Sequence, residues 1–147
     1  MEMIQKLRIA IVDDHPLFRE GVVKVLGERS EFEIVGEAGT AKDAIELVRR
    51  ESPEVLLLDL GIPGGGLNAA RAVFSSHPAT RIVILTSSSD PEHVEGALMA
   101  GARGYVLKGV GSRELTRIIQ EVVAGRIYVS PPLDGGLELG PNEPTHA

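Results

Sequence analysis

Leu7-Arg8-Ile9-Ala10-Ile11-Val12, followed at once by Asp13-Asp14-His15-Pro16, decides how the rest of the chain reads. A short apolar run with β-branched residues is the pattern of a strand buried on both faces of a parallel sheet. Pro16 stands where the first turn of a helix accepts proline, so the strand passes quickly into a helix carrying Phe18, Val22, Val25 and Leu26 on one face. The same alternation continues outward. Phe32–Ala38, Glu54–Leu58, Arg81–Leu85 and Gly104–Leu107 are further apolar runs, each followed by a segment with helical spacing.

The helix starts are readable. Thr40 with Asp43 forms a capping-box pattern, and Asp90-Pro91-Glu92 combines a cap, a first-turn proline and an acid near the dipole. Ser112 opens a last helix through Leu115, Ile118, Ile119, Val122 and Val123, with Gly125 suited to its C-terminal end. The third helix is delayed by Gly64-Gly65-Gly66 until about Leu67. The expected fold is therefore α/β: a flavodoxin-like, doubly wound, five-stranded parallel sheet of order 2-1-3-4-5 with helices on both faces. Residues 1–129 form one domain on this reading. Residues 130–147, rich in proline and glycine and without strand or helix period, read as a linker or tail.

Composition removes several classes of function. The 147 residues contain no cysteine, which excludes disulfides and thiolate metal sites. The formal net charge of −6 argues against direct binding of a nucleic-acid backbone. No apolar run has the length of a signal peptide core or a membrane span, so a cytoplasmic protein without membrane partners is expected.

The chemistry collects at strand ends. Asp13 and Asp14 follow the first apolar run, Asp59 the third and Lys108 the fifth. In open parallel sheets, ligands bind beyond the carboxyl ends of the strands, and this strand order brings the first and third ends together. Magnesium uses one or two carboxylates and retains waters. Asp14 and Asp59 suit direct ligation, with a backbone carbonyl just after Asp59 and Asp13 acting through water. Lys108 suits a phosphoryl oxygen, and an aspartate nucleophile would form an acyl-phosphate.

Asp13-Asp14-His15-Pro16, Asp59-Leu60-Gly61-Ile62-Pro63, Leu85-Thr86-Ser87 and Gly101-Ala102-Arg103-Gly104-Tyr105-Val106-Leu107-Lys108 together resemble the receiver domain of bacterial two-component response regulators. Asp13-Asp14-His15-Pro16-Leu17-Phe18-Arg19-Glu20-Gly21 and Gly104–Lys108 are similar to the NarL/FixJ subfamily, whose members carry a LuxR-type helix-turn-helix after a linker. The resemblance spans about residues 6–130. It implies that Asp59 accepts a phosphoryl group from a sensor histidine kinase, with Mg2+ or Mn2+ held by Asp13, Asp14, Asp59 and the Gly61 carbonyl. It further implies that Lys108, Thr86 and Ser87 contact the phosphoryl group and that Tyr105 turns inward as Thr86 moves. Self-catalysed phosphoryl acceptance and loss, rather than turnover of a separate substrate, is the expected chemistry. Homodimerisation on phosphorylation is expected, and DNA would be reached only through an output domain outside this chain.

Some positions depart from the family pattern. Ile62 replaces a frequent methionine in an apolar slot, and Gly109 follows Lys108 where proline is common. Gly61 and Ser88 are small at positions that control water access, so self-dephosphorylation is expected to be unhindered.

Structural readings compete with each role. Asp13-Asp14 could cap the first helix, Lys108 could be a surface lysine, Thr86 could make a structural hydroxyl bond and Tyr105 could be a packing residue. His15 reads as a surface or helix-start residue rather than a magnesium ligand. Gly64–Gly66 lacks the Gly-Lys-Ser/Thr ending of a phosphate loop. A haloacid-dehalogenase-type phosphatase would place its nucleophile after the first strand, with its second acid two residues later, which the adjacent Asp13-Asp14 does not match. A stand-alone or phosphorylation-independent receiver acting by protein association remains the alternative function.

Overall fold

Alternation along each strand sends successive side chains to opposite faces, and here both faces are apolar. The computed structural model describes residues 5–131; of the tail expected over residues 130–147, residues 132–147 lie outside them. In chain order the elements are β1 (Leu7–Val12), α1 (Pro16–Gly27), β2 (Phe32–Ala38), α2 (Ala41–Glu51), β3 (Val55–Leu58), α3 (Gly66–Ser76), β4 (Arg81–Thr86), α4 (Pro91–Met99), β5 (Gly104–Leu107), α5 (Ser112–Val123) and β6 (Tyr128–Val129). All strand pairs are parallel, in the order β2-β1-β3-β4-β5-β6. The expected five-strand order is present, and β6 extends it. A strand of two residues has no period to read, which is why the sequence did not announce it.

One core layer joins Ala10, Val12, Leu56, Leu58, Ile82 and Ile84 to Ala44, Leu47 and Val48 of α2, Ala69, Ala70 and Val73 of α3, and Val94 and Ala97 of α4. The other joins Ile9, Ile11, Leu57, Val83, Leu85 and Val106 to Val22 and Leu26 of α1 and to Leu115, Ile118, Ile119 and Val122 of α5. Helices α1 and α5 therefore cover one face and α2 to α4 the other. With few aromatics, the packing falls to aliphatic side chains, each contributing about 1.5–3 kcal/mol on full burial.

The caps are partly those expected. Thr40 accepts from the Asp43 amide and Asp90 from the Glu92 amide. Helix α5 opens at Ser112 as expected, its N-cap Gly111 makes no side-chain cap bond, and Gly125 adopts φ +103° just past its end. Helix α3 begins at Gly66, one residue earlier than expected. Its amide donates to the Leu60 carbonyl at 3.0 Å, and a methyl group on Gly66 would lie 2.5 Å from both the Asp59 carbonyl oxygen and the Leu60 Cα. Only a glycine lets the helix start press against the end of β3.

Overpacking against fixed backbone typically costs about 1–3 kcal/mol. Gly66→Ala is expected to lower stability by that amount in urea titration. Gly109→Ala, where nothing lies within 4 Å of the added carbon, is expected to stay within about 0.5 kcal/mol of the parent.

Candidate functional site

Sheet register builds the site. Val12 pairs with Leu58 and Leu58 with Ile84, while Thr86 pairs with Leu107. The ladder runs one residue further: the Asp59 amide donates to the Val12 carbonyl at 3.0 Å and the Lys108 amide to the Thr86 carbonyl at 2.9 Å. Asp13, Asp59 and Lys108 therefore leave the sheet at its carboxyl edge together.

Asp13 and Asp59 are buried, at 2% and 4% exposure, whereas the Asp14 side chain keeps 34%. Lys108 Nζ lies 2.9 Å from Asp13 Oδ2 and 3.4 Å from Asp59 Oδ2, and it sits 4.5 Å above the Phe18 ring centroid. Burial works against the Lys108 ammonium, but the hydrogen bond to Asp13 and the charges of Asp59 and Asp13 outweigh it, so its pKa is held above the ordinary lysine value. Arg19 Nη1 donates to the Asp13 backbone carbonyl at 2.6 Å and orients that turn.

His15 adds a contact that the sequence reading did not foresee. It is the N-cap residue of α1, as a helix-start role requires. Yet its Nδ1 lies 3.0 Å from Asp13 Oδ1, 3.3 Å from Asp14 Oδ1 and 4.0 Å from Asp59 Oδ2. Its amide donates to Asp13 Oδ1 at 2.8 Å. The adjacency of His15 to Asp14 was the available signal, but a helix-start imidazole has no fixed direction in sequence. Asp13 and Asp14 do not cap α1 as N-cap residues; the chain position of the cap is His15, without a side-chain cap bond.

One oxygen from each of Asp13, Asp14 and Asp59, with the His15 ring nitrogen, all lie within 4.8 Å of one another. Oxygens that close fit the first shell of a small divalent cation, whose octahedral bonds are about 2.0–2.1 Å for magnesium. The three carboxylates are hard donors, so Asp13, Asp14 and Asp59 could hold such an ion.

Beside Asp59 opens a cavity of about 510 Å³, whose walls include Gly61, Thr86, Ser87 and Ser88. Thr86 is buried and its Oγ1 accepts from the Ser88 amide at 3.4 Å; Ser87 is exposed. Tyr105 is fully buried, with its hydroxyl donating to the Ser88 carbonyl at 2.9 Å. Its ring is turned inward in this structure. Burial, opposed by the bond to Ser88 and reinforced by the charges of Asp90 and Asp59, raises the Tyr105 pKa. Ile62 is buried, as the apolar slot requires, and the Lys108–Gly109 bond is trans.

Residues 9–120 match the family model of the response regulator receiver domain. This chain belongs to that family. It is 34% identical over 139 residues to the response regulator GacA of Pseudomonas aeruginosa, covering 94% of this chain and 65% of that one. Identity to the probable transcriptional regulatory protein NarL of Mycobacterium tuberculosis is 40% over 134 residues, covering 90% and 62%. This chain thus spans a little under two thirds of the curated relatives it matches. Among solved structures, a LuxR-family two-component response regulator from Aurantimonas superposes with a TM-score of 0.83 at 37% identity, covering 88% of this chain and 93% of that one. The receiver domain of the NarL protein from M. tuberculosis gives 0.80 at 38%, covering 83% and 99%. The subfamily resemblance read from Asp13–Gly21 and Gly104–Lys108 agrees with these NarL- and LuxR-type relatives.

Among the described residues of this receiver domain, no helix is long and apolar enough to cross a membrane. The proposed site residues converge: Asp13, Asp14, Asp59 and Lys108 form one cluster, while Gly61, Thr86 and Ser87 share the cavity with Asp59. Tyr105 stands behind them and reaches the same loop through Ser88.

Two stability measurements test this electrostatic picture. Asp14 adds negative charge beside two buried carboxylates served by one lysine, so Asp14→Asn is expected to stabilise the receiver domain in chelator-treated buffer by up to about 1 kcal/mol. Tyr105→Phe is expected to cost about 1 kcal/mol at neutral pH through the lost bond to Ser88. A folded phenol with a raised pKa binds more protons than the unfolded chain above its ordinary value of 10.0. The Tyr105 contribution therefore falls as pH rises from about 10 through the folded value. The stability difference between parent and Tyr105→Phe should shrink over that range in urea titrations.

Proposed function

We propose that this receiver domain takes a phosphoryl group from a phosphohistidine of a sensor histidine kinase onto Asp59. The observation that carries the reading is the convergence of Asp59 with Asp13, Asp14 and Lys108 at the carboxyl edge of the sheet. A carboxylate oxygen of Asp59 attacks phosphorus, the nitrogen–phosphorus bond breaks, and the electron pair leaves with the imidazole. Asp13, Asp14, Asp59 and the Gly61 carbonyl are the groups to hold Mg2+ or Mn2+, which when bound neutralises charge on the phosphoryl oxygens. Lys108, already between Asp13 and Asp59, supplies a second cation within reach of the new phosphoryl group. Thr86 Oγ1 and the Ser87 amide are the donors for its remaining oxygens.

Phosphorylation adds about −1.5 to −2 of charge and strong acceptor oxygens. A hydroxyl and an ammonium drawn toward them shift the loop after β4, to which the Tyr105 hydroxyl is tied through the Ser88 carbonyl. That is a local electrostatic event with a packing readout. The output follows from the company the domain keeps. Relatives with matching receivers are named transcriptional regulators, so control of transcription through a downstream DNA-binding domain, with dimerisation on phosphorylation, is the function proposed for the whole protein. The domain acts as its own catalyst for acceptance and loss of the group, and is not an enzyme acting on a separate product-forming substrate. A cytoplasmic site of action fits a kinase-fed switch.

Incubation with acetyl phosphate and Mg2+ should add the mass of one phosphoryl group to the parent and none to Asp59→Ala. Equal labelling of the two would overturn the assignment of Asp59, and absence of labelling in the parent would favour a receiver acting by association alone. The small residues Gly61 and Ser88 leave water access open, so the phosphorylated form should decay without a steric delay. A lifetime of many hours at neutral pH with Mg2+ contradicts this.

A further inference from the structure

The cavity beside Asp59 is larger than a phosphoryl group needs. Its volume is about 510 Å³, against a share of about 30 Å³ for one water in the liquid. It extends away from Asp13 and Asp14, which do not line it, toward Asn68 and Arg71 of α3 and His93 of α4. Asp59 is the one carboxylate on its walls. The space therefore has room and charge for something beyond the transferred group.

Arg71, exposed at the mouth of the cavity, is tethered by a relay that begins in the triglycine turn. Gly64, at φ +91°, presents its carbonyl to Asn68 Nδ2 at 2.9 Å, and Asn68 Oδ1 accepts from Arg71 Nη1 at 3.2 Å. Among the described residues Arg71 forms no ion pair, unlike Arg8, Arg19 or Arg117. His93, the neighbour across the cavity, is engaged through Nδ1 with Ser88 Oγ at 2.6 Å. A guanidinium tethered by an amide and lacking a carboxylate keeps donors for an incoming anion.

Resting on the reading of Asp59 as phosphoryl acceptor, we propose that Arg71 binds the leaving group of an acyl phosphate donor. In that reaction an Asp59 oxygen forms its bond to phosphorus as the bond from phosphorus to the acyl oxygen breaks. The electron pair departs with the acyl oxygen, which becomes a carboxylate. Charge that develops only as the bond breaks is stabilised by a neighbouring cation more than the ground state is, and this accelerates the transfer. A donor whose leaving group departs as neutral ammonia gains nothing from Arg71. The triglycine turn is thus assigned a role in donor choice through Asn68.

The test compares acetyl phosphate with phosphoramidate on the intact chain at saturating Mg2+, following phosphoprotein formation by mass. Arg71→Gln should slow labelling by acetyl phosphate about fivefold, the scale of one partly solvated ion pair, and leave the phosphoramidate rate within a factor of two. Arg71→Lys should recover most of the acetyl phosphate rate, and the decay rate of the phosphorylated form should be the same in all three proteins. An equal loss with both donors, or an unchanged acetyl phosphate rate, overturns the role of Arg71 while leaving Asp59 as acceptor. Failure of the parent chain to be labelled by either donor overturns the acceptor reading itself.

Discussion

The bond from the Asp59 amide to the Val12 carbonyl is the constraint on which the site depends. It continues the β1–β3 ladder one step past the last apolar pair and fixes the height at which two carboxylates leave the sheet. A slip of one residue would exchange the side chains of the two faces and break the fitted layers against α2–α4 and against α1 and α5, so packing on both faces enforces the register. The core thereby holds like charges near one another, an arrangement the charges alone would oppose. Lys108, fixed by the equivalent bond to Thr86 on the far side of β4, is the counterweight.

The same edge geometry ties the loop after β4 to its surroundings. Ser88 lies at the crossing of three links: its amide reaches Thr86, its carbonyl receives Tyr105, and its hydroxyl meets His93. The loop after β4 is thus bonded to the end of its own strand, to β5 and to α4. Movement of Thr86 cannot leave that loop unchanged without breaking a bond. This is a physical route from the acid pocket to a helix surface, made of contacts whose lengths are measurable.

Much of the architecture was legible because its determinants are periodic. Three of the strand limits, Leu7–Val12, Phe32–Ala38 and Gly104–Leu107, could be read from apolar runs bounded by polar residues, and the other two by a residue at one end. The acids and Lys108 could be placed because strand ends in a parallel sheet share one edge. The position of His15 over three carboxylates could not, since a side-chain rotamer at a helix start is set by neighbours distant in sequence. Nor could the relay from Gly64 through Asn68 to Arg71, which depends on the exact turn that positive-φ glycines allow. The sixth strand was hidden for a third reason: its pairing is decided by the exposed side of β5, and two residues carry no pattern.

That small strand changes how the sheet ends. Tyr128 and Ser130 donate backbone bonds to the carbonyls of Arg103 and Tyr105, and the Leu107 amide finds the Ser130 hydroxyl oxygen. The outer rim of β5 is therefore occupied, and what remains outermost is too short to template another chain. At the opposite margin β2 presents the exposed Glu33 and Glu37, charges that discourage strand addition. A sheet built from such uniformly aliphatic strands is a hazard for fibril-like stacking. Here, among the described residues, both of its borders are blunted, one by a fragment of strand and the other by carboxylates, which disfavours strand-to-strand addition between copies.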